Sequence, residues 1–437
     1  MDTTDPELRG LQTFVVQLGA AMNAAGVPVD SVQQRLARVA GAYGARKARI
    51  TAFPTYLMVT MGRGELATLE LTTVLGPSPR LDQISALDRL VDDAERGLVP
   101  PVDGLRRLRE IRELRPRFGT IQSIVGYAVF SLGICLILHP VVHDVAAAAF
   151  FGALVGWLRV LGRGQPTVQV LMPVVAAFCV SALSALAVEH DLTDPGLPAM
   201  VASLVVFVPG AALTTAVLEL AAGQMVSGSS RLVSGAMQLA LLAFGILAGI
   251  EAVGIPSSRV FASSGDLLGD WARWLGVLVF ACGVKVANST PAGSFPGLLV
   301  VLYAAWIGQL AGNALFGGYV GGLVGAVVMT VVASLVSRLP SAMPAYASFL
   351  PGFWLLVPGA IGLIGLTEIA GGKNSTGSQE FAALVGSIFA VALGVLIGTQ
   401  LLDWAHASAR RVGMLVGSFA DRHPSLARLF RRFRIHD

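Results

Sequence analysis

Apolar positions recur at intervals of three and four through "LQTFVVQLGAAMNAAGVPVDSVQQRLARVAGAYG", residues 11–44, and the pattern breaks at Gly26-Val27-Pro28. This predicts a helical hairpin whose second helix has Asp30 or Ser31 placed to cap it. The next stretch, "ARITAFPTYLMVTMGRGELATLELTTV", is rich in β-branched and aromatic residues around Gly62-Arg63-Gly64 and predicts two strands joined by a turn. Helical periodicity returns in "RLDQISALDRLVDDAERG" and "PPVDGLRRLREIREL", which leads into a basic run from Arg106 to Arg117. Residues 1–117 hold 16 Lys/Arg against 14 Asp/Glu, an ordinary soluble composition. They predict an α+β cytoplasmic domain packed beneath a membrane part, its last helix leading into the bilayer.

From Phe118 onward the apolar runs lengthen until each could cross a bilayer, which takes about 20 residues. Ten such runs are expected, near 118–138, 145–162, 166–188, 198–222, 231–250, 270–287, 293–312, 316–337, 347–370 and 380–402. Composition agrees: 54% of the 437 residues are hydrophobic, 13% are charged, and the mean hydropathy is +0.70. The 50 glycines suit helices packed closely in lipid. "MDTTDPELRG" lacks a basic then apolar leader, so no secretory signal is expected and the N-terminus is expected in the cytoplasm.

Charges orient the spans. The short inner loops and helix ends hold Arg159, Arg163, Arg231, Lys285 and Arg338. The outer ones collect Asp144, Glu189, Asp191, Asp194, Glu251, Asp266, Asp270 and Glu380, with only Arg259, Arg273 and Lys373 as cations. Both termini then lie inside. After Asp403 a tail with seven arginines, including "PSLARLFRRFRI", reads as a cytoplasmic segment lying on anionic lipid, with no need of nucleic acid.

One motif occurs twice. "VPGAALTTAVLELAAG" begins at Val208 and "VPGAIGLIGLTEIAGG" at Val357, and an offset of 149 aligns Pro209 with Pro358, Gly210 with Gly359, Glu219 with Glu368 and Gly223 with Gly372. The same offset lays Trp157 on Trp306 and helices one to five on six to ten. Five crossings is an odd number, so the second half would enter the membrane from the opposite side. The expected architecture is therefore an α-helical polytopic membrane protein with ten transmembrane helices as a 5+5 inverted repeat. Its divisions are 1–117, 118–250, 251–402 and a basic tail, 403–437. Inverted repeats serve many secondary transporters, and a channel could share the plan.

Glu219 and Glu368 are the membrane-region ionisable groups that the expected spans keep away from loops. A carboxylate in hydrocarbon is costly and normally faces a polar interior, where reversible protonation is one use for it. A helix-end glutamate reaching the interface is the plainer alternative. Pro209-Gly210 and Pro358-Gly359 fall near mid-helix and mark either discontinuous helices or simple kinks. A half-helix starting there would aim amides at a solute carboxylate. Ser203, Thr214, Thr215, Asn313 and Thr367 are further polar candidates, although serine and threonine often bond back within their own helix.

Enzyme chemistry finds little footing. The N-terminal domain contains neither His nor Cys, the six histidines lack metal spacing, and no phosphate-cradling Walker motif is present. Cys135, Cys179 and Cys282 read as small buried hydrophobes. No catalytic residue, metal or cofactor is expected, and an ion gradient is the expected energy source.

The chain resembles the threonine/serine exporter family in its fused form. The carriers of the resemblance are "LGAAMNAAGVPVDSVQQRLARVAGAYG", "ITAFPTYLMVTM", "LDRLVDDAERGLVPPVDGLRRLREI" and the two Val-Pro-Gly-Ala copies, spread over residues 11–402. The resemblance implies a cytoplasmic N-terminal domain, two five-helix halves, a bacterial plasma-membrane location and export of threonine and serine driven by protons. A related two-protein arrangement is associated with succinate, which keeps a dicarboxylate exporter as the alternative. A channel gated by the cytoplasmic domain is a third reading, and a homo-oligomer is compatible with all three. Two buried acids with no buried Arg or Lys lean toward a solute bearing an ammonium group.

Overall fold

The computed structural model describes residues 6–62, 68–74, 78–138, 140–190, 197–256, 260, 268–317, 320–339, 341–356 and 374–422. In the N-terminal domain α1 (Pro6–Ala24) and α2 (Val29–Ala42) form the expected hairpin, turning at Gly26, whose φ of 78° favours glycine. Three antiparallel strands follow, β1 (Arg49–Ala52), β2 (Tyr56–Met61) and β3 (Thr68–Thr73), in the order β1-β2-β3. The prediction of two strands fails at Pro54: a residue without an N–H interrupts the first run, and Phe53 and Tyr56 close a tight turn there. β2 alternates, burying Leu57, Val59 and Met61 in the domain core with Phe14, Leu18 and Met22 of α1. Then come α3 (Leu81–Glu95) and α4 (Pro101–Arg112). Arg35 of α2 reaches Asp88 and Glu95 of α3 at 2.6 Å each and also pairs with Asp92, clamping the two helices.

The remaining helices are α5 (Thr120–Ile137), α6 (Val142–Leu161), α7 (Pro166–Glu189), α8 (Leu197–Leu204), α9 (Gly210–Ala221), α10 (Met225–Val253), α11 (Trp271–Ala287), α12 (Phe295–Phe316), α13 (Val320–Val336), α14 (Ala345–Leu356) and α15 (Asn374–Arg422). Among the described residues six helices are long and apolar enough to cross a membrane, and the bent pair α8–α9 makes a seventh. The expected ten crossings are matched in part: among the described residues the others are shorter or incomplete. α11 and α13 have 17 residues each and α14 has 12, while residues 357–370 of the expected ninth span lie outside the described residues. α15 runs unbroken past Asp403 to Arg422, and the tail beyond it is not described. Large apolar side chains such as Phe150, Val170, Phe244 and Leu315 stand exposed on the helices, a surface that lipid would cover.

α5 and α11 pack antiparallel through reciprocal glycine contacts. A Cβ on Gly133 would strike the Phe280 backbone, and one on Gly283 would strike the Phe130 backbone. Gly126 lies against the Ala287 backbone, and Gly276 lies against the Ile137 side chain. The two phenyl rings meet at 5.1 Å between centroids. Each contact becomes its reciprocal on adding 150, one more than the offset relating the two motifs.

The N-terminal domain is docked on this helical part at three points. Val29 donates its backbone N–H to Glu219 at 3.1 Å, Leu81 donates to the Asn288 carbonyl at 3.2 Å, and the Tyr346 hydroxyl donates to the Ile84 carbonyl at 3.3 Å. Leu81 and Ile84 are buried within the membrane-helix core itself.

Candidate functional site: an interrupted helix beside a cationic cavity

Between α8 and α9 the chain makes a single 3₁₀ turn, Val205–Phe207, before Pro209, and the two helices differ in direction by 52°. Pro209 has no N–H to return to Val205, whose carbonyl instead accepts from Val208 at 3.0 Å. Gly210 closes back on the Val208 carbonyl and starts α9. The released Phe207 carbonyl accepts from Gln238 Nε2 of α10 at 2.6 Å. In this first copy of the motif the Pro-Gly pair is thus a true interruption. Pro358, Gly359, Thr367 and Glu368 of the second copy lie outside the described residues.

Val206 and Phe207 form part of the wall of a cavity of about 1190 Å³, roofed by Gln17, Arg80 and Arg112 of the N-terminal domain and walled by Tyr127, Arg159, Gln238, Asn288 and Trp354. Among the described residues its charged lining residues are Arg80, Arg112, Arg159 and Arg163, with no acid among them. Arg80 is engaged by Asp82 and the Leu114 carbonyl, and Arg112 by Gln17. The Arg159 guanidinium lies over two rings, 5.2 Å from the Tyr127 centroid and 5.5 Å from that of Phe207.

Glu219 sits outside this lining, toward the C-terminal end of α9, with its side chain 0% exposed. Both carboxylate oxygens accept from Arg231 Nε of α10, at 3.1 and 3.2 Å, and Oε1 also accepts from Val29 N. α2 begins after Pro28, with no side-chain cap of its own, so the first free amide of the helix is satisfied by a carboxylate 190 residues away. The expectation that Asp30 or Ser31 caps α2 is replaced by this contact. Arg231, 15% exposed, corrects the reading of no buried cation: what is buried is an ion pair, and Arg231 Nη2 has no hydrogen-bond partner among the described residues.

The other candidates scatter. Thr214 and Thr215 are buried on α9 with Glu219, the Thr214 hydroxyl having no partner among the described residues. Ser203 bonds back to the Met200 carbonyl at 2.7 Å. Asn313 is exposed on α12 beside Gly321 and does not line the cavity. Sequence reasoning missed Arg159, Gln238 and Asn288. Arg159 carries its loop-end signal as a cation in the last turn of α6, and nothing in its neighbours foretells the rings around it. Among the described residues no cluster of His, Cys, Asp or Glu could hold a metal, and the three cysteines are free.

The sequence profile of a family described as "Putative threonine/serine exporter" matches residues 13–253, more than half of the chain. The chain belongs to the threonine/serine exporter family. The match takes in the N-terminal domain, the interrupted helix, Glu219 and Arg231, and stops at the end of α10. The family points to a multi-pass membrane transporter rather than an enzyme. The chain is also similar to the pheromone-regulated membrane protein 10 of Debaryomyces hansenii, 22% identical over 311 residues. That similarity covers 68% of this chain but only 30% of the length of the yeast protein. No solved structure matches.

Proposed function

We propose that this protein is a secondary active exporter of small amino acids, threonine and serine, driven by the proton gradient across a bacterial plasma membrane. The observation that carries the reading is the interruption before Pro209, whose 3₁₀-turn residues Val206 and Phe207 line the cavity. A helix broken within a span exposes backbone polar groups to a polar space, and two half-helices can move separately about such a point. Family membership supplies the substrates.

Glu219 is the proposed proton carrier. Ionised, it holds Arg231 and the α2 amide at once. A proton on the carboxylate removes the charge that both hold and frees α9 to shift against α10 and the N-terminal domain. The reciprocal α5–α11 glycines support two five-helix halves related by inversion, whose exchange of conformations would open the cavity alternately to each side. Anionic lipid beneath the basic tail completes the proposed setting.

One observation favours a second reading. Among the described residues four arginines and no acid line the cavity, which suits a dicarboxylate better than a zwitterion. Exchange in proteoliposomes with labelled threonine, serine and succinate separates the two. Saturable threonine or serine exchange supports the first reading, succinate exchange alone supports the second, and unsaturable leakage of all three indicates a channel.

A further inference from the structure

Arg159 differs from Arg80 and Arg112, which are held by partners of the N-terminal region. It is half-buried in the last turn of α6, its planar group lies over the Tyr127 and Phe207 rings, and among the described residues it has no hydrogen bond or ion pair. Aromatic faces take up the π surface of a guanidinium and leave its N–H edges free, the arrangement in which arginine grips a carboxylate with two parallel hydrogen bonds. Phe207 is the last residue of the 3₁₀ turn at the interruption, so the guanidinium rests on the part of α8–α9 that bends.

A second unsatisfied donor lines the same cavity. Asn288 Nδ2 is buried without a partner among the described residues, although the Asn288 carbonyl is engaged by Leu81. The next residue, Ser289, is buried with φ of 50°, a left-handed backbone that costs energy for any residue with a side chain. Gly126 lies against the Ala287 backbone, which brings the neighbours Tyr127 and Asn288 to one wall. An amide donor and a guanidinium that have no hydrogen-bond partner among the described residues thus line one cavity.

We propose that Arg159, assisted by the Asn288 amide, is the point at which the carboxylate of the transported solute is recognised. The proposal rests on the reading of this protein as a carrier of carboxylate-bearing solutes and names the residues that select them. Because the solute would dock on a guanidinium seated against Phe207, its arrival and departure would be felt at the helix interruption.

The test uses the full chain in proteoliposomes, with labelled threonine, serine and succinate as the probes and threoninamide as competitor. Arg159→Met should raise the half-saturating concentration of whichever probe is moved by roughly 10- to 100-fold, the worth of a charge-assisted hydrogen-bond pair. Arg159→Lys, which keeps the charge but not the fork, should fall between, and Asn288→Ala should give a smaller rise. Threoninamide should not compete. Arg106→Ala, on exposed α4, should match the parent. Unchanged half-saturation in Arg159→Met protein that elutes and melts like the parent overturns the proposal, as does threoninamide competing as well as threonine. If Arg159→Met does not fold, unchanged half-saturation in Arg159→Lys overturns it equally. A parent protein that moves none of the probes overturns the functional reading as well, whereas transport that survives loss of Arg159 overturns only this site.

Discussion

Val29 and Glu219 are joined by a backbone-to-carboxylate hydrogen bond of 3.1 Å that spans 190 residues of chain, buried where the N-terminal domain meets α9. The carboxylate lies at the positive end of α2 and is held from the other side by Arg231. One side chain therefore ties together the N-terminal domain, the second half of an interrupted helix and the helix that follows it. Removing it should be felt in all three.

Glu219→Ala leaves Arg231 buried without a counter-charge and the α2 amide without a cap. Breaking a buried pair from one side costs about 3–5 kcal/mol. Thermal unfolding of the detergent-solubilised protein should shift down by several degrees, and amide exchange at the start of α2 should quicken. Adding Arg231→Met to Glu219→Ala should recover much of the loss, since no lone charge then stays buried.

Arg35→Met should loosen the N-terminal domain, because Asp88, Asp92 and Glu95 would then face one another without their shared cation. The group is only partly screened from water, so about 2 kcal/mol is expected. Burial raises Glu95, but the hydrogen bonds from Arg38 and Arg35 outweigh it and hold its carboxyl below the ordinary glutamate range. A depressed carboxyl adds stability above its unfolded-state value and loses it as pH falls through the folded one. Asp88 is pushed up by burial and works in the opposite sense. The Glu95 part of the gap between parent and Arg35→Met should thus be widest near pH 7 and narrow toward about pH 3, as that carboxyl takes up a proton. Chemical denaturation at both values reads it.

Gly133→Val places methyl groups into the backbone of Phe280 and should separate α5 from α11. Overpacking of this kind costs about 1–3 kcal/mol or more. Gly10→Ala, on an open face of α1, is the contrasting case and should be neutral or stabilising. The melting temperature should fall in Gly133→Val and hold level or rise in Gly10→Ala.

Pro209→Ala restores the missing N–H and lets α8 continue toward α9, which should raise stability slightly while lowering turnover. Gln238→Ala withdraws the donor on the Phe207 carbonyl and should lower stability by about 1 kcal/mol. Initial exchange rates measured beside melting curves separate the two effects.

The features that repeat locally along the chain could be read from it. Periodicity located the N-terminal helices, and the Pro-Gly pair announced the interruption because its cause is covalent. The partners of Glu219 were not legible, since Val29 offers only a backbone amide, which no sequence pattern marks. In the sequence Arg231 and Arg159 read as inner-loop charges, the same signal that a solvated arginine gives. Their pairing and ring contacts depend on how α10, α5 and the 3₁₀ turn come together. The third strand hid behind Pro54, and Asn313 looked equivalent to buried polar groups because composition does not tell which face of α12 meets lipid.

The central claim is proton-coupled export through the Pro209 interruption with Glu219 as carrier, and uphill movement of labelled threonine in proteoliposomes under an imposed pH gradient tests it most directly. The account predicts accumulation against the threonine gradient in the parent protein, abolished by collapsing the pH gradient, and equilibration without accumulation in a folded Glu219→Gln variant. Accumulation that persists in Glu219→Gln, or parent protein that only equilibrates threonine whatever the pH gradient, would contradict it.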